Sequence, residues 1–188
     1  MAISYVIQAE VVDINADSPN RTDVFFVDTN VWYWMTYPNA ATAALPGQLS
    51  DYPAFVNRAL AAGARIYYSG LSLAELSHLI EKTEREIYEK SVCLIRTKEY
   101  RHNLSSERSR VVSEVEAAWG QVKSLSSSLA LTVDEKATDA ALDRFQTEKL
   151  DGYDLFILET MKNHGVIQII TDDGDFATVA GIRVFTAN

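Results

Sequence analysis

The chain reads as an α/β protein with a mostly parallel central sheet, and three observations carry that reading. The runs VFFVD (24–28), ARIYYSG (64–70) and VIQIIT (166–171) are short, β-branched or aromatic, and apolar on nearly every residue, as strands covered on both faces are. Helical patterns lie between them, and strand alternating with helix marks a parallel sheet joined by helical crossovers. The third observation is size: 188 residues at 47% apolar content suffice for a full core, so one domain over 1–188 is expected.

Taken in order, YVIQAEVVDIN is an extra strand at an edge, within an amino-terminal extension over 1–23. VFFVD follows as the first buried strand, then a helix over 52–62, the strand 64–70 and a helix over 71–81. Residues 84–129 interrupt the alternation. Val111, Val115, Ala118, Val122, Leu125 and Leu129 recur at steps of four and three, an apolar stripe on a long helix; Ile87, Ser91 and Ile95 mark another helix before it. The pair reads as a helical hairpin turning near 103–106, either projecting as an interaction surface or packed as ordinary core. LALTV (129–133) is a weaker fourth strand, and helices follow over 134–146 and 153–163, the last stopped by His164-Gly165. VIQIIT and IRVFTA (182–187) close the sheet.

Composition narrows the function classes. A formal net charge of −9 argues against binding nucleic acid through a generally basic surface, so such a role needs local basic patches or bound cations. The best local patch is 82–110, with eight Lys or Arg against five Glu, although mixed signs on a helix are commonly a solvated face. Cys93 is the sole cysteine, which excludes an internal disulfide and a cysteine-based metal site; it is expected in the core. MAISYVIQAEVVD lacks a basic leader and a cleavage site, and no later segment is apolar enough to span a bilayer, so a soluble cytoplasmic protein is expected. His78, His102 and His164 are scattered without ligand spacing, and no Ser or Cys nucleophile motif or Gly-rich phosphate loop is present. Trp32, Tyr33, Trp34 and Tyr37 crowd the stretch after Asp28, where an aromatic cluster is core more often than a base-stacking platform.

The acids are more informative. Ligands of open α/β sheets bind beyond the carboxyl ends of the strands. Asp28 ends the first buried strand, Glu75 enters the helix after ARIYYSG, Asp154 opens the helix before VIQIIT, and Thr171-Asp172-Asp173-Gly174-Asp175-Phe176 follows that strand. Each has a plain structural explanation. Ser72-Leu73-Ala74-Glu75 matches a capping box, Asp151-Gly152-Tyr153-Asp154 has similar spacing, and Asp28, Asp172 or Asp173 can cap or terminate an element. Capping does not explain why every acid falls on the strand-exit, helix-entry side of one sheet. Clustered carboxylates raise one another's pKa unless a cation sits among them, and all-oxygen donors select Mg²⁺ or Mn²⁺ for phosphoryl chemistry.

With these residues in place, the sequence resembles the PIN-domain ribonucleases, a family that includes VapC-like toxins of toxin–antitoxin pairs. The resemblance lies in FVDTNVW, LSLAEL, DGYDLFILETMKNHGV and IITDDGDF, and covers 24–188 in the right order. It implies a three-layer α/β/α sandwich, here with an inserted helical hairpin at 84–129. It implies Asp28, Glu75, Asp154 and Asp173 as catalytic metal ligands for Mg²⁺ or Mn²⁺, with Asp175 as a further metal residue. Thr29 or Asn30 would orient Asp28, with Thr171 also supporting, and Asp172 is the variable position. The implied activity is metal-dependent endonucleolytic hydrolysis of RNA, leaving a 5′-phosphate and a 3′-hydroxyl. An antitoxin protein is the implied partner, and a homodimer is expected through the apolar stripe from Val111 to Leu129. The rival reading is a catalytically silent PIN-like module that binds protein or RNA. A phosphatase of another α/β family is disfavoured, because Asp28-Thr29-Asn30 lacks that class's Asp-x-Asp. The amino-terminal extension and the long segment between Glu75 and Asp154 exceed the compact toxin pattern.

Overall fold

Strand β2 (Val24–Val27) sits inside the sheet, which is why it needs no polar face: Phe25, Phe26 and Val27 are all buried. The computed structural model describes residues 5–42 and 44–187; residues 1–4 of the expected extension lie outside the described residues. The other strands are β1 (Glu10–Asp13), β3 (Arg65–Ser69), β4 (Ser127–Leu129), β5 (Gln168–Ile170) and β6 (Arg183–Thr186), in the order β1-β6-β5-β2-β3-β4. Every pairing among them is parallel. The expected edge strand is therefore present as β1, shorter than its apolar stretch and paired to β6.

Parallel strands need crossovers, and helices supply them on both faces. Phe25 and Val27 face one core with Ile66 and Phe185, covered by α1 (Thr29–Thr36), α2 (Asp51–Ala61), α3 (Gly70–Ser91) and α5 (Ser105–Leu125). Phe26 faces the other core with Ile169 and Val184, covered by α6 (Glu135–Thr147) and α7 (Gly152–Asn163). The pleat thus divides alternate residues between two layers of helix, giving an α/β/α sandwich. Phe25 meets the edges of Phe55 and Phe185 at centroid separations of 5.7 and 4.9 Å, which locks α2 onto the sheet.

Some expectations are corrected and others hold. The helix after β3 does not stop at 81 but runs unbroken to Ser91, since the pattern at Ile87 and Ser91 continues the same helix. A short helix α4 (Thr97–Asn103) follows, and the hairpin turns at Leu104, inside the expected 103–106. The apolar stripe is core: Val111, Ala118 and Val122 are buried, while Val115 and Leu125 pack half-buried against the same cluster, so this stripe offers no partner surface. Leu129 belongs to β4, which begins at Ser127 instead of 129 because its register is set by pairing Tyr67 with Ser127 and Ser69 with Leu129. Cys93 is exposed, in the break between α3 and α4. Trp32, Tyr33 and Tyr37 are buried, which leaves them no base to stack on. No helix among the described residues is long and apolar enough to cross a membrane.

Candidate active site

All six strands point one way, so their carboxyl ends share one edge, and a crevice opens where connections leave in opposite directions. β2 occupies that point, between β3 and β5. Asp28 leaves β2 there. Its backbone N–H extends the ladder to the Ile170 carbonyl at 3.1 Å, and its carboxylate accepts from the Thr29 N–H and the Thr171 Oγ1 hydroxyl, both at 2.6 Å. The aspartate is thus both the cap of α1 and a buried carboxylate aimed into the crevice.

Glu75 is not a cap. Ser69 caps α3 by accepting from the Leu71 N–H at 3.1 Å, and Ser72 Oγ accepts in return from the Ser69 N–H at 3.4 Å. The helix therefore starts before the expected box. Glu75 falls a turn inside it, where its Oε2 accepts from the Thr29 hydroxyl at 2.6 Å. Asp154 is likewise released from capping. Asp151 does that work, accepting from the N–H groups of Tyr153 at 2.8 Å and Asp154 at 3.1 Å, while Asp154 is buried at the mouth of α7. α7 runs back along the sheet before β5, so its amino end is at the same edge as Asp28.

The loop after β5 sorts its aspartates by direction. The Asp173 N–H donates to Thr171 Oγ1 at 2.9 Å, and the Asp173 carboxylate accepts from the Asp175 N–H at 2.8 Å, opening the 3-10 turn Gly174–Thr178. Asp172 turns the other way, accepting from Gln48 Nε2 and the Tyr52 hydroxyl beside α2. Thr171 is the pivot: one hydroxyl orients Asp28 and receives Asp173.

Asp28, Glu75, Asp154 and Asp173 line a single cavity of about 410 Å³, together with Asn30, His78 and Asp151. Asp175 does not; it lines a separate hollow beside Tyr5, Val6 and Thr147. The four acids surround the cavity without closing on one point, and no three metal-binding side chains among the described residues form a ready-made ion cage. Asn30 does not orient Asp28, whose partners are Thr29 and Thr171. Its Oδ1 is a buried acceptor with no hydrogen-bond partner among the described residues. Asp151 and His78 carry no ligand pattern in the sequence; the one signal is the cap position of Asp151, which fixes that carboxylate at the same edge.

The electrostatics follow from this crowding. Burial raises Asp28 to about 7, opposed by the Thr171 hydrogen bond and aided by Glu75. Asp154 rises further, to about 9, through burial first and then through Asp28, Asp151, Asp173 and Glu75. Burial also raises Glu75 against the Thr29 hydrogen bond, and raises Asp175, with Asp173 adding to it. Protein donors alone leave these charges uncompensated. The donor set is hard oxygen, with an orphan amide oxygen beside it, and that chemistry fits Mg²⁺ or Mn²⁺.

Several arginines of the basic segment 82–110 are paired to glutamates in and beside it. Arg85 bonds Glu89, Arg101 forks onto Glu81, and Arg110 lies 3.1 Å from Glu107. Arg108 is the looser member, with Nη1 3.7 Å from Glu81.

A family model described as PIN domain matches residues 25–182. Among solved structures, the fold is similar to a chain in the crystal structure of VapBC2 from Rickettsia felis bound to a DNA fragment from their promoter. The identity is 11% and the TM-score 0.49, over 87% of this chain and 98% of that one. No curated protein matches significantly.

Proposed function

The chain belongs to the PIN-domain family, and from that premise we propose that it is a cytoplasmic, Mg²⁺- or Mn²⁺-dependent endoribonuclease acting as the toxin of a toxin–antitoxin pair. One observation carries the reading: Asp28, Glu75, Asp154 and Asp173, from four separate segments, line one cavity at the carboxyl edge of the sheet. Asp28, Glu75, Asp154 and Asp173 would hold the ion, with Asp175 acting through its N–H on Asp173. When bound, a divalent ion there activates water and offsets charge on the attacked phosphate and the leaving oxygen.

The remaining work falls to the protein's own groups. Thr171 donates to Asp28 and Thr29 donates to Glu75, and each bond favours the ionised carboxylate over the neutral acid. Asp154, the most strongly raised, holds a proton at neutral pH until positive charge enters the cavity, so binding of the ion is coupled to proton release. The Asp151 cap and the α7 amino end fix where that carboxyl stands.

The same reading assigns an antitoxin protein and a second copy of the chain as partners. Leu142 and Phe145, exposed on α6 at helical spacing, are available apolar anchors for either. Sedimentation with and without a co-expressed candidate antitoxin tests that part. The chemical test is cleavage of RNA with Mg²⁺, Mn²⁺ or chelator, beside Asp28→Asn. Cleavage in Mn²⁺ that is lost in chelator and in the variant is expected. Intact RNA under every metal condition would leave the silent RNA- or protein-binding module as the better reading.

A further inference from the structure

A second cavity, of about 430 Å³, lies beside the acid-lined one and shares Ala74 and His78 with it along one face of α3. Its far walls come from the hairpin: Arg101 on α4, and Arg108 and Val112 on α5. The two cavities form one trough, acidic at one end and, at the other, carrying the guanidiniums of Arg101 and Arg108 beside the carboxylates of Glu81 and Glu116.

The guanidiniums have different roles. Arg101 spends its fork on the buried Glu81, donating through Nε to Oε1 at 2.7 Å and through a terminal nitrogen to Oε2. The Arg108 side chain contributes only an ion pair at 3.7 Å, makes no side-chain hydrogen bond among the described residues, and is 48% exposed. Two cations share one buried carboxylate, and one of them, Arg108, lines the trough without a side-chain hydrogen bond. Val112 supplies an exposed apolar wall beside it, and His78 stands at the junction.

A polynucleotide whose scissile phosphate is held among carboxylates needs a place for its next phosphate, and that group cannot share the acidic end. We propose that this second cavity is the subsite for the nucleotide flanking the scissile phosphate of single-stranded RNA, with Arg108 binding its phosphate, Val112 against the sugar or base, and Glu81–Arg101 as the brace that positions Arg108. The inference rests on the nuclease reading and deepens it. It also gives a chain with net charge −9 a way to hold a polyanion: one loosely paired guanidinium stands next to the acid cavity.

The test is an anisotropy titration of a fluorescent single-stranded oligoribonucleotide in Ca²⁺, which neutralises the carboxylates, over a series of salt concentrations. Wild type, Arg108→Ala, Val112→Glu and the remote charge control Lys162→Ala are compared, each first shown to be folded by circular dichroism. Loss of one phosphate contact lowers the salt slope by about 0.7 and weakens binding roughly fivefold near 0.1 M salt. That loss is expected for Arg108→Ala, a larger one for Val112→Glu, and little change for Lys162→Ala. No binding by wild type, or equal binding by the folded groove variants and the control, overturns the subsite. Cleavage by wild type in Mn²⁺, measured in parallel, reports on the nuclease reading separately: intact RNA with groove-dependent binding sinks the nuclease and keeps the subsite.

Discussion

Replacing Asp154 by Asn should make the metal-free protein more stable at neutral pH. The carboxyl is raised from 3.8 to about 9, chiefly by burial and then by Asp28, Asp151, Asp173 and Glu75. A raised acid binds its proton more tightly folded than unfolded, so the folded state is favoured below pH 4 and loses that advantage as pH climbs toward 9. At pH 7 roughly 3 units of that interval have been crossed, at 1.36 kcal/mol each, or about 4 kcal/mol as an upper limit. Water and counter-ions entering the open cavity reduce it, and a gain of about 1–3 kcal/mol in Asp154→Asn is expected. The Asp151 cap accepts from backbone groups and survives the change. Urea melts in chelator between pH 5 and 8 should show wild type losing stability with rising pH and the variant following a shallower slope. Adding Mn²⁺ should stabilise wild type by about 2.7 kcal/mol at a hundredfold excess over Kd, and the variant by less. A variant less stable than wild type at pH 7.5, with an unchanged pH slope, would refute the account of Asp154 as a buried, crowded acid and make it a structural residue.

Thr171→Val removes the donor to Asp28 and the acceptor for the Asp173 N–H at nearly constant volume; it should cost about 1–3 kcal/mol in melts. The same change should raise the pH at which Mn²⁺ binding reaches half its maximum, because the lost bond is one that lowers Asp28. Val122→Glu places a charge in a fully buried site on α5 and should unfold the chain by circular dichroism instead of merely altering its sedimentation. Cys93 should react with a thiol reagent in the native state at close to the rate seen in denaturant, and slow labelling would contradict its exposure.

The parts of the fold that the sequence disclosed are those where burial leaves one option. VFFV can be nothing but an interior strand, and an aspartate leaving it had to emerge at the sheet's carboxyl edge. The misread parts turned on register, which local pattern does not encode. Ser72-x-x-Glu75 satisfies a capping box, yet Ser69 caps the helix a turn earlier and frees Glu75 for Thr29. Ser127–Leu129 is mostly polar and becomes a strand only because β3 offers an edge, whereas the more apolar LALTV lies mostly beyond it. Asp175 looks like a ligand by position in the chain, but the 3-10 turn sends it to a separate hollow, while Asn30 lines the acid cavity without bonding Asp28. The stripe on α5 is regular because it fills a core made by α1 and α3, a fact carried by partners distant in sequence.

The Thr171–Asp28 bond joins positions 143 residues apart. During synthesis at roughly 5–20 residues per second, the first of these is made about 7–30 s before the second. Until β5 arrives to flank β2, neither the loop carrying Asp173 nor the hydroxyl that orients Asp28 exists, and the interior strand lacks a neighbour. A nascent chain therefore cannot assemble the acidic cavity until the segment carrying Thr171 and Asp173 has followed Asp28 out of the ribosome. The most non-local bond in the site makes completion of the cavity wait on β5, whatever has folded before it.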